Sequence, residues 1–266
     1  GVGGLTEDKW ILDIPDFTPV YDSDKQYGYT GRAGANLEKL LRDTSKNHCM
    51  YCYALLRNDR VDIGHLEHSI EKSLDEKHLT NCVPNISIAC PSCNQSLKRK
   101  GEKKRLEALE DAKERFAGKA ECSDGSCDHD CEAYSELKSS YCEEAQIILQ
   151  PFGVTGEESE QEYRLQYDIY DAEFKLSNKY NYTSYDRRYI ENHIRRFKLN
   201  DAGFRTKALA NFVEDVINAD GKYRADSEYP NYIVDLFKDK IVGMNKDELV
   251  SLCEQIHIRN LILFRN

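Results

Sequence analysis

Two Cys-x-x-Cys pairs constrain this chain more than any other feature of its sequence. The first pair is Cys49 and Cys52 in "CMYC", and the second is Cys90 and Cys93 in "CPSC". Each pair places two thiolates on a tight turn, and tetrahedral zinc takes four such soft donors. Closing both pairs around one Zn²⁺ would tie together the ends of a unit too small to be stable on its own core. The spacing therefore predicts a structural four-cysteine zinc site.

Composition limits the classes of protein to which the chain can belong. Its 266 residues suffice for one large domain or two modest ones, and the start, Gly-Val-Gly-Gly, lacks the features of a secretion signal. We therefore expect a cytoplasmic protein whose ten cysteines serve metal binding rather than disulfides. No apolar run of about 18 residues occurs, so no membrane contact is expected. The net charge of −10 argues against tight binding of nucleic acid by this protein alone, but it allows a local basic patch.

The hydrophobic pattern predicts an α+β protein, with a small zinc-stapled ββα unit and a mainly α-helical C-terminal domain. The four predicted parts are an N-terminal arm and helix (1–44), the ββα unit (45–118), a Cys-rich insertion (119–144) and the mainly helical C-terminal domain (145–266). Within the ββα unit, strands are expected at 60–68 and 85–89. A helix should begin near Pro91, with a break plausible at Gly101.

Four polar residues lie between the two cysteine pairs or directly after the second one: Glu67, His68, Asn85 and Asn94. An imidazole has a pKa of about 6.5 and can take a proton near neutral pH. A carboxylate and a side-chain amide are oxygen ligands of the kind that Mg²⁺ prefers. Simpler roles remain open, because Asn94 can cap a helix and Asn85 can merely open a strand. A shift of strand register would also exchange His68 for His65.

The same residues resemble the HNH endonuclease family. The resemblance is carried by "CMYC" (49–52), "GHLEHSIEK" (64–72), "NISIACPSCN" (85–94) and the lysines that follow. It implies the ββα-metal fold, with His68 as general base and with Glu67 and Asn94 as ligands of a catalytic Mg²⁺ or Mn²⁺. It further implies that Asn85 orients the loop that carries His68. Many relatives have Pro-Lys where this chain has Glu71-Lys72, and Lys72 still offers a cation to a phosphate.

A basic run, "KRKGEKKR" (98–105), follows the second cysteine pair. A run of this kind can neutralise a nucleic-acid backbone without reading its sequence. The alternative is a solvated helix face with Lys/Glu pairs. The candidate contacts are Lys98, Arg99, Lys100, Lys103, Lys104 and Arg105.

A second cysteine cluster occupies the insertion. It contains Cys122, Cys127, Cys131 and Cys142, with His129 among them. These spacings are less regular than Cys-x-x-Cys, and they suggest a second zinc site. A regulatory disulfide or a disordered acidic loop with reduced thiols would fit the same residues.

The C-terminal part also resembles nuclease subunits of bacterial antiphage defence systems, such as Septu and retron-associated systems. The matching segments are "IILQPFG" (147–153), "EYRLQYDIY" (162–170) and "YIENHIRRFKLNDAGFRTKA" (189–208). This resemblance implies an ATPase partner that regulates cleavage. The expected function is therefore a metal-dependent HNH endonuclease acting on DNA, double-stranded in the first instance, with RNA as the alternative substrate. A competing hypothesis is a non-catalytic, zinc-containing nucleic-acid-binding or adaptor module.

Overall fold

A computed structural model describes residues 10–122, 131–201 and 204–264. The chain is a mixture of helices and short strands, as the α+β prediction requires. The α-helices are α1 (Gly31–Thr44), α2 (Glu76–Leu79), α3 (Glu102–Ala108), α4 (Glu110–Lys119), α5 (Glu132–Ala145), α6 (Ser184–Arg196), α7 (Phe204–Asn218), α8 (Ile233–Ile241) and α9 (Lys246–Leu263). The strands are β1 (Ile11–Asp13), β2 (Arg57–Asn58), β3 (Val61–Asp62), β4 (His65–His68), β5 (Ile86–Ala89), β6 (Leu165–Asp168) and β7 (Glu173–Leu176).

The antiparallel pair β4–β5 lies between the two cysteine turns, with His65 opposite Ala89 and His68 opposite Ile86. The predicted strand over 60–68 is corrected, because it divides into the exposed strand β3, which pairs with β2, and the separate strand β4. The pattern itself explains the division. Val61 and Ile63 share one strand parity and Leu66 has the other, so one strand cannot bury all three side chains on one face.

The chain after β5 turns at Pro91 into a helix, as predicted, but its first turns are π-helical over Ser92–Leu97. The amide of Lys98 donates to the carbonyl oxygen of Cys93, five residues earlier, at 3.1 Å. Gly101 then adopts a φ of 75°, a left-handed conformation that glycine reaches without steric cost. This residue separates the π-helical segment from α3, so the predicted break is confirmed.

A three-stranded antiparallel sheet has the order β1-β6-β7. Its edge strand β1 comes from the N-terminal arm, where Leu12 lies opposite Tyr167. The sequence pattern does not predict β1, because three residues are too few to show a period. Strands β6 and β7 fall within two segments that the sequence predicts to be extended, at 162–170 and 172–177.

Contacts between the first cysteine turn and the C-terminal part cross the predicted boundary at residue 145. The amide of Tyr232 donates to the carbonyl oxygen of Tyr53 at 2.9 Å, and the side-chain amide of Asn231 donates to that of Cys52 at 3.3 Å. Buried apolar side chains form one cluster that extends from β1 to α9. The first cysteine turn therefore packs against the helical part rather than projecting from it.

Two helices, α6 and α9, begin with a capping box. Asn245 and Glu248 form the predicted capping box at the start of α9, and Thr183 and Asp186 form another at α6. Among the helices of the described ranges, none combines the length and apolar character needed to cross a bilayer.

The segment before β6, residues 145–152, has its backbone satisfied by side chains of α6. The amide of Ile148 donates to Nδ1 of His193 at 3.0 Å, and the hydroxyl of Tyr189 donates to the carbonyl oxygen of Ile147 at 2.6 Å. Burial lowers the pKa of His193 to about 3. The core therefore requires this imidazole to be neutral.

We predict that His193 makes the fold sensitive to acid. An unfolded histidine titrates near pH 6.5, so the stability that the neutral ring contributes is complete above that pH and falls as the pH drops toward about 3. Between pH 7 and pH 5 this histidine should account for a loss of about 2 kcal/mol in the free energy of unfolding. Urea unfolding should give a shallower dependence on pH for His193→Asn. The exposed His65→Asn should keep the wild-type dependence, and equal slopes for all three proteins would contradict the prediction.

Candidate metal and catalytic site

The four cysteines predicted to bind zinc come together. The sulfur atoms of Cys49, Cys52, Cys90 and Cys93 lie within 4.8 Å of one another, and all four residues are buried. The Cys52 and Cys90 sulfurs are 3.6 Å apart. Two thiolates on a tetrahedral zinc ion, with Zn–S bonds of about 2.3 Å, are separated by about 3.8 Å. The donor set and its spacing therefore fit a structural zinc ion.

The backbone holds this cluster in place. Cys49 donates its amide to the carbonyl oxygen of Ala54 at 2.8 Å, and Met50 donates to that of Ile88 at 3.1 Å, which joins the first turn to β5. Hydrogen bonding by the Cys49 and Cys52 thiols lowers the pKa of Cys90. Burial raises the pKa of Cys49 well above the ordinary range. A full set of thiolates therefore needs a cation at the centre of the cluster.

Glu67 lies on β4, opposite Ser87 of β5, and its side chain is buried. Its Oε2 accepts hydrogen bonds from the hydroxyl groups of Tyr51, at 3.0 Å, and Ser87, at 2.8 Å. The ammonium of Lys98 donates to Oε1 of the same carboxylate and to the carbonyl oxygen of His68. Lys98 is only 3% exposed, so the two charges form a buried ion pair.

His68 ends β4 and is 8% exposed. Its Nε2 lies 2.9 Å from the carbonyl oxygen of Thr80. A carbonyl oxygen only accepts, so Nε2 carries the proton and Nδ1 keeps its lone pair. The ring of Tyr29 lies 4.4 Å from the imidazole, and the Lys72 ammonium lies 5.1 Å from that tyrosine ring. Burial lowers the pKa of His68, which keeps the imidazole neutral at pH 7.

Glu67 and His68 project from opposite faces of β4, because successive side chains on a strand alternate. The carboxylate faces the Ser87 hydroxyl, whereas the imidazole faces the Thr80 carbonyl. Lys98 connects the two sides by donating to the carboxylate and to the main chain of His68. His65, the alternative base, is exposed.

Asn85 is fully buried at the entry to β5 and clamps the chain that follows β4. Its Oδ1 accepts from the amide of Ile70 at 2.8 Å, and its Nδ2 donates to the carbonyl oxygen of the same residue at 2.9 Å. The hydroxyl of Tyr134, from α5, donates to Oδ1 at 3.0 Å. Ile70 lies two residues after His68, so Asn85 does more than open a strand: it fixes the loop that bears the histidine.

Asn94 is half-buried in the π-helical segment, and its amide donates to the carbonyl oxygen of Cys90 at 3.0 Å. It lies three residues beyond Pro91, which occupies the cap position, so Asn94 does not cap this segment. Residues four apart share one helix face. Asn94 therefore lies on the same face as Lys98, which reaches Glu67.

The donor chemistry of this face suits a hard divalent cation. A carboxylate offers about four acceptor directions, and three at Glu67 are used by protein donors, which leaves one at Oε1. The amide oxygen of Asn94 is a second ligand of the type that Mg²⁺ and Mn²⁺ prefer. The Lys98 ammonium already contacts Oε1, so a cation at that oxygen would have to share it with the ammonium or displace the ammonium.

The basic run differs from its prediction at two positions, because Lys98 and Arg105 are buried rather than exposed to a nucleic acid. Arg105 forms an ion pair with Glu71 and lies 5.4 Å from the ring of Tyr141 in α5. This pairing neutralises the charge of Glu71. The cations of the predicted set that remain exposed are Lys72, Arg99, Lys100, Lys103 and Lys104.

The predicted second zinc site is corrected at Cys142. Cys131 is the N-cap of α5, and Cys142 lies near the end of the same helix. Eleven residues of α-helix separate them by about 16 Å, so one ion cannot bind both. Burial raises the pKa of the Cys142 thiol. Cys122 and Cys131 are half-buried, whereas Cys127 and His129 lie outside the described residues.

Several side chains that position the site are absent from the sequence prediction. Tyr51 shows a local signal, since it lies between the two cysteines of the first pair. Thr80 acts through its backbone carbonyl oxygen. Because every residue has this group, its role cannot be predicted from the residue type. The others reach the site from distant parts of the chain, and they are Tyr29, Ser87 and Tyr134.

We predict one tightly bound zinc ion per chain, held by the four clustered cysteines. This metal would join the chain before β4 to the chain after β5, so Cys90→Ser should lose the zinc. The same variant should lower the free energy of unfolding by several kcal/mol, because binding of a structural zinc ion contributes directly to folding. Elemental analysis and urea unfolding measure the two effects. Cys253→Ala, a buried cysteine outside the cluster, should retain the zinc. Two zinc ions per wild-type chain would contradict the count.

We also predict that removing only one partner of the buried Glu67–Lys98 ion pair strongly lowers the free energy of unfolding. Lys98→Met leaves a buried carboxylate without its partner and should destabilise the fold by about 3–5 kcal/mol. The double variant Glu67→Gln/Lys98→Met should recover most of that loss in urea unfolding. Arg99→Met removes an exposed partner of Glu102 and should cost less than about 1 kcal/mol. Equal losses for Lys98→Met and Arg99→Met would show that Lys98 is solvated.

The site therefore combines a four-cysteine cluster, a neutral histidine fixed by a carbonyl oxygen, a clamping asparagine and a buried carboxylate–ammonium pair. These features depend on residues that are far apart in the chain and converge around β4–β5. The chain matches no protein-family model, no curated protein and no solved structure.

Proposed function

We propose that this protein is a metal-dependent HNH endonuclease that hydrolyses phosphodiester bonds in DNA. The observation that supports this most is the state of His68. Its Nε2 is held by the Thr80 carbonyl oxygen at 2.9 Å, and burial lowers its pKa, so the ring presents a free Nδ1 lone pair near neutral pH. A general base requires this combination of position and protonation state.

In the proposed reaction, Nδ1 of His68 accepts a proton from the water molecule that attacks phosphorus. The Thr80 carbonyl prevents the ring from turning while the proton moves. Asn85 supports this position by holding Ile70, two residues further along the chain. The negative charge of Glu67 raises the pKa of His68 against the effect of burial, so it favours the imidazolium that forms.

A divalent cation such as Mg²⁺ or Mn²⁺, bound by Glu67 and Asn94, would supply positive charge to the phosphate and to the leaving oxygen. Tyr51 and Ser87 hold the carboxylate by donating to Oε2, which leaves Oε1 directed at Lys98. Lys98 neutralises this buried charge. A zinc ion held by the four cysteines would have a structural role, fixing the positions of β5 and Asn94.

The proposed substrate is double-stranded DNA, and the proposed setting is a bacterial antiphage defence system in the cytoplasm with an ATPase partner. The resemblance of segments 147–153, 162–170 and 189–208 to nuclease subunits of such systems supports this setting. The exposed cations at Lys72, Lys100, Lys103 and Lys104 suit a phosphate backbone. With a net charge of −10, the chain would benefit from a partner that delivers the substrate.

A second candidate function is a non-catalytic zinc module that binds nucleic acid or a protein partner. One observation favours it. Protein donors already engage both oxygens of Glu67, so the carboxylate is satisfied without a further ligand. This hypothesis requires binding without hydrolysis.

We predict that the purified protein nicks or linearises plasmid DNA when Mg²⁺ or Mn²⁺ is added. His68→Ala should reduce the cleavage rate by about 10²- to 10⁴-fold, which is the usual contribution of a general base. Gel analysis of supercoiled plasmid, linear DNA and RNA measures the rate and distinguishes the substrates.

The matched control is His65→Ala, which removes an exposed histidine from the same strand. This variant should cleave like the wild type, and both variants should keep their zinc and their helical content. Wild-type protein with a full zinc complement that binds DNA but never cleaves it would support the adaptor hypothesis instead. Full activity in His68→Ala would refute the assignment of the base.

A further inference from the structure

Helix α6 and the residues just after it carry a basic surface on an otherwise acidic chain. This surface contains one exposed acidic residue of α6, Glu191, because Asp186 is buried and bonded to Tyr163 and Thr183. The net charge of the whole chain is −10. The cations are Arg187, Arg188, Arg195, Arg196 and Lys198.

A groove of about 350 Å³ joins α6 to the turn that follows the π-helical segment. Its basic lining consists of Lys100, Arg195 and Arg196. The guanidinium of Arg196 donates to the carbonyl oxygen of Lys100 at 2.5 Å, which fixes the two walls together. The amides of Gln146 and Asn192 add polar groups, and Glu143 and Glu144 also line the groove.

The cations of this groove are not neutralised by ion pairs within the described part of the chain. Arg195 donates to the amide oxygen of Asn192, and Arg196 to a backbone carbonyl. Burial, together with the charge of the nearby Arg105, lowers the pKa of Arg196. Like charges held close together without carboxylate partners attract an anion.

The groove is connected to the proposed catalytic residues through the chain that follows Lys98. Lys98 donates to the carbonyl oxygen of His68, and Lys100 follows Lys98 by two residues, a chain length of about 7 Å at most. Arg195 also lines a larger cavity of about 730 Å³, which contains Arg187 and Lys198 as further cations and Glu191 and Asp201 as acidic residues. Lys198 is paired with Asp201 at 3.6 Å, so Arg187 is the cation of this cavity that adds most to the basic surface. The basic surface therefore continues from the site across α6.

We propose that this surface, defined by Lys100, Arg187, Arg195, Arg196 and Lys198, binds the phosphate backbone of the nucleic acid on one side of the cleaved bond. The inference rests on the proposed function and adds to it a substrate-binding surface outside the ββα unit. Guanidinium groups pair with phosphates through two parallel hydrogen bonds. A surface that extends over two cavities suits a polymer with regularly repeated charge better than a single small anion.

The test measures binding separately from cleavage. In the His68→Ala background, fluorescence anisotropy with a labelled DNA duplex gives Kd at several salt concentrations. Lys100→Gln/Arg195→Gln should raise Kd about tenfold and reduce the slope of log Kd against log salt by about 1–2, because two phosphate contacts are removed. Arg224→Gln, which removes an exposed arginine paired with Asp226, should keep both values. Circular dichroism and zinc content verify the fold of each variant, and Arg187→Gln provides an independent change at the far side of α6.

The outcomes separate this inference from the proposed function. If the wild type cleaves DNA but the double variant and Arg187→Gln match Arg224→Gln in Kd and salt slope, the surface inference is overturned while the nuclease stands. If the wild type binds but never cleaves and the double variant weakens binding, the surface stands and the nuclease does not. If the His68→Ala protein binds neither DNA nor RNA, the inference is overturned. In active protein, the expected effect is a higher KM with little change in kcat.

Discussion

The convergence of four sulfur atoms is the constraint on which the rest of the site depends. Cys49 and Cys52 precede β4 in the chain, and Cys90 and Cys93 directly follow β5. A two-stranded sheet of four-residue strands has little stability of its own. The cluster fixes the start of the π-helical segment, and Lys98 at the end of this segment reaches Glu67.

Around this staple, buried polar groups are satisfied by partners from distant parts of the chain. Glu67 receives hydroxyl groups from a cysteine turn and from β5, whereas Asn85 receives one from α5. Each of these groups would be costly to bury alone, so every partner stabilises the arrangement as well as orienting it. Tyr51 also stacks on Phe197 just after α6, with 4.9 Å between the ring centres, which connects the cluster to the helical part.

The sequence is most informative where short-range chemistry determines the result. The zinc cluster, the helix start at Pro91, the break at Gly101 and the cap at Asn245 follow from residue type and local spacing. Contacts made at long range are not visible in the pattern: β1 pairs with β6, and Lys98 turns inward to Glu67 rather than outward to solvent. The sequence of a basic run does not show which of its lysines will be buried in an ion pair with a carboxylate 31 residues away.

The hydrogen bond from Tyr134 to Asn85 connects the start of α5 with the loop that follows His68, because Asn85 holds Ile70 in that loop. Tyr134 lies in the first turn of α5, and its amide donates to the sulfur of Cys131, which caps that turn. The geometry of a helix start depends on its capping group. One residue, Tyr134, therefore connects the Cys131 sulfur, through its amide, with the asparagine that holds Ile70, through its hydroxyl.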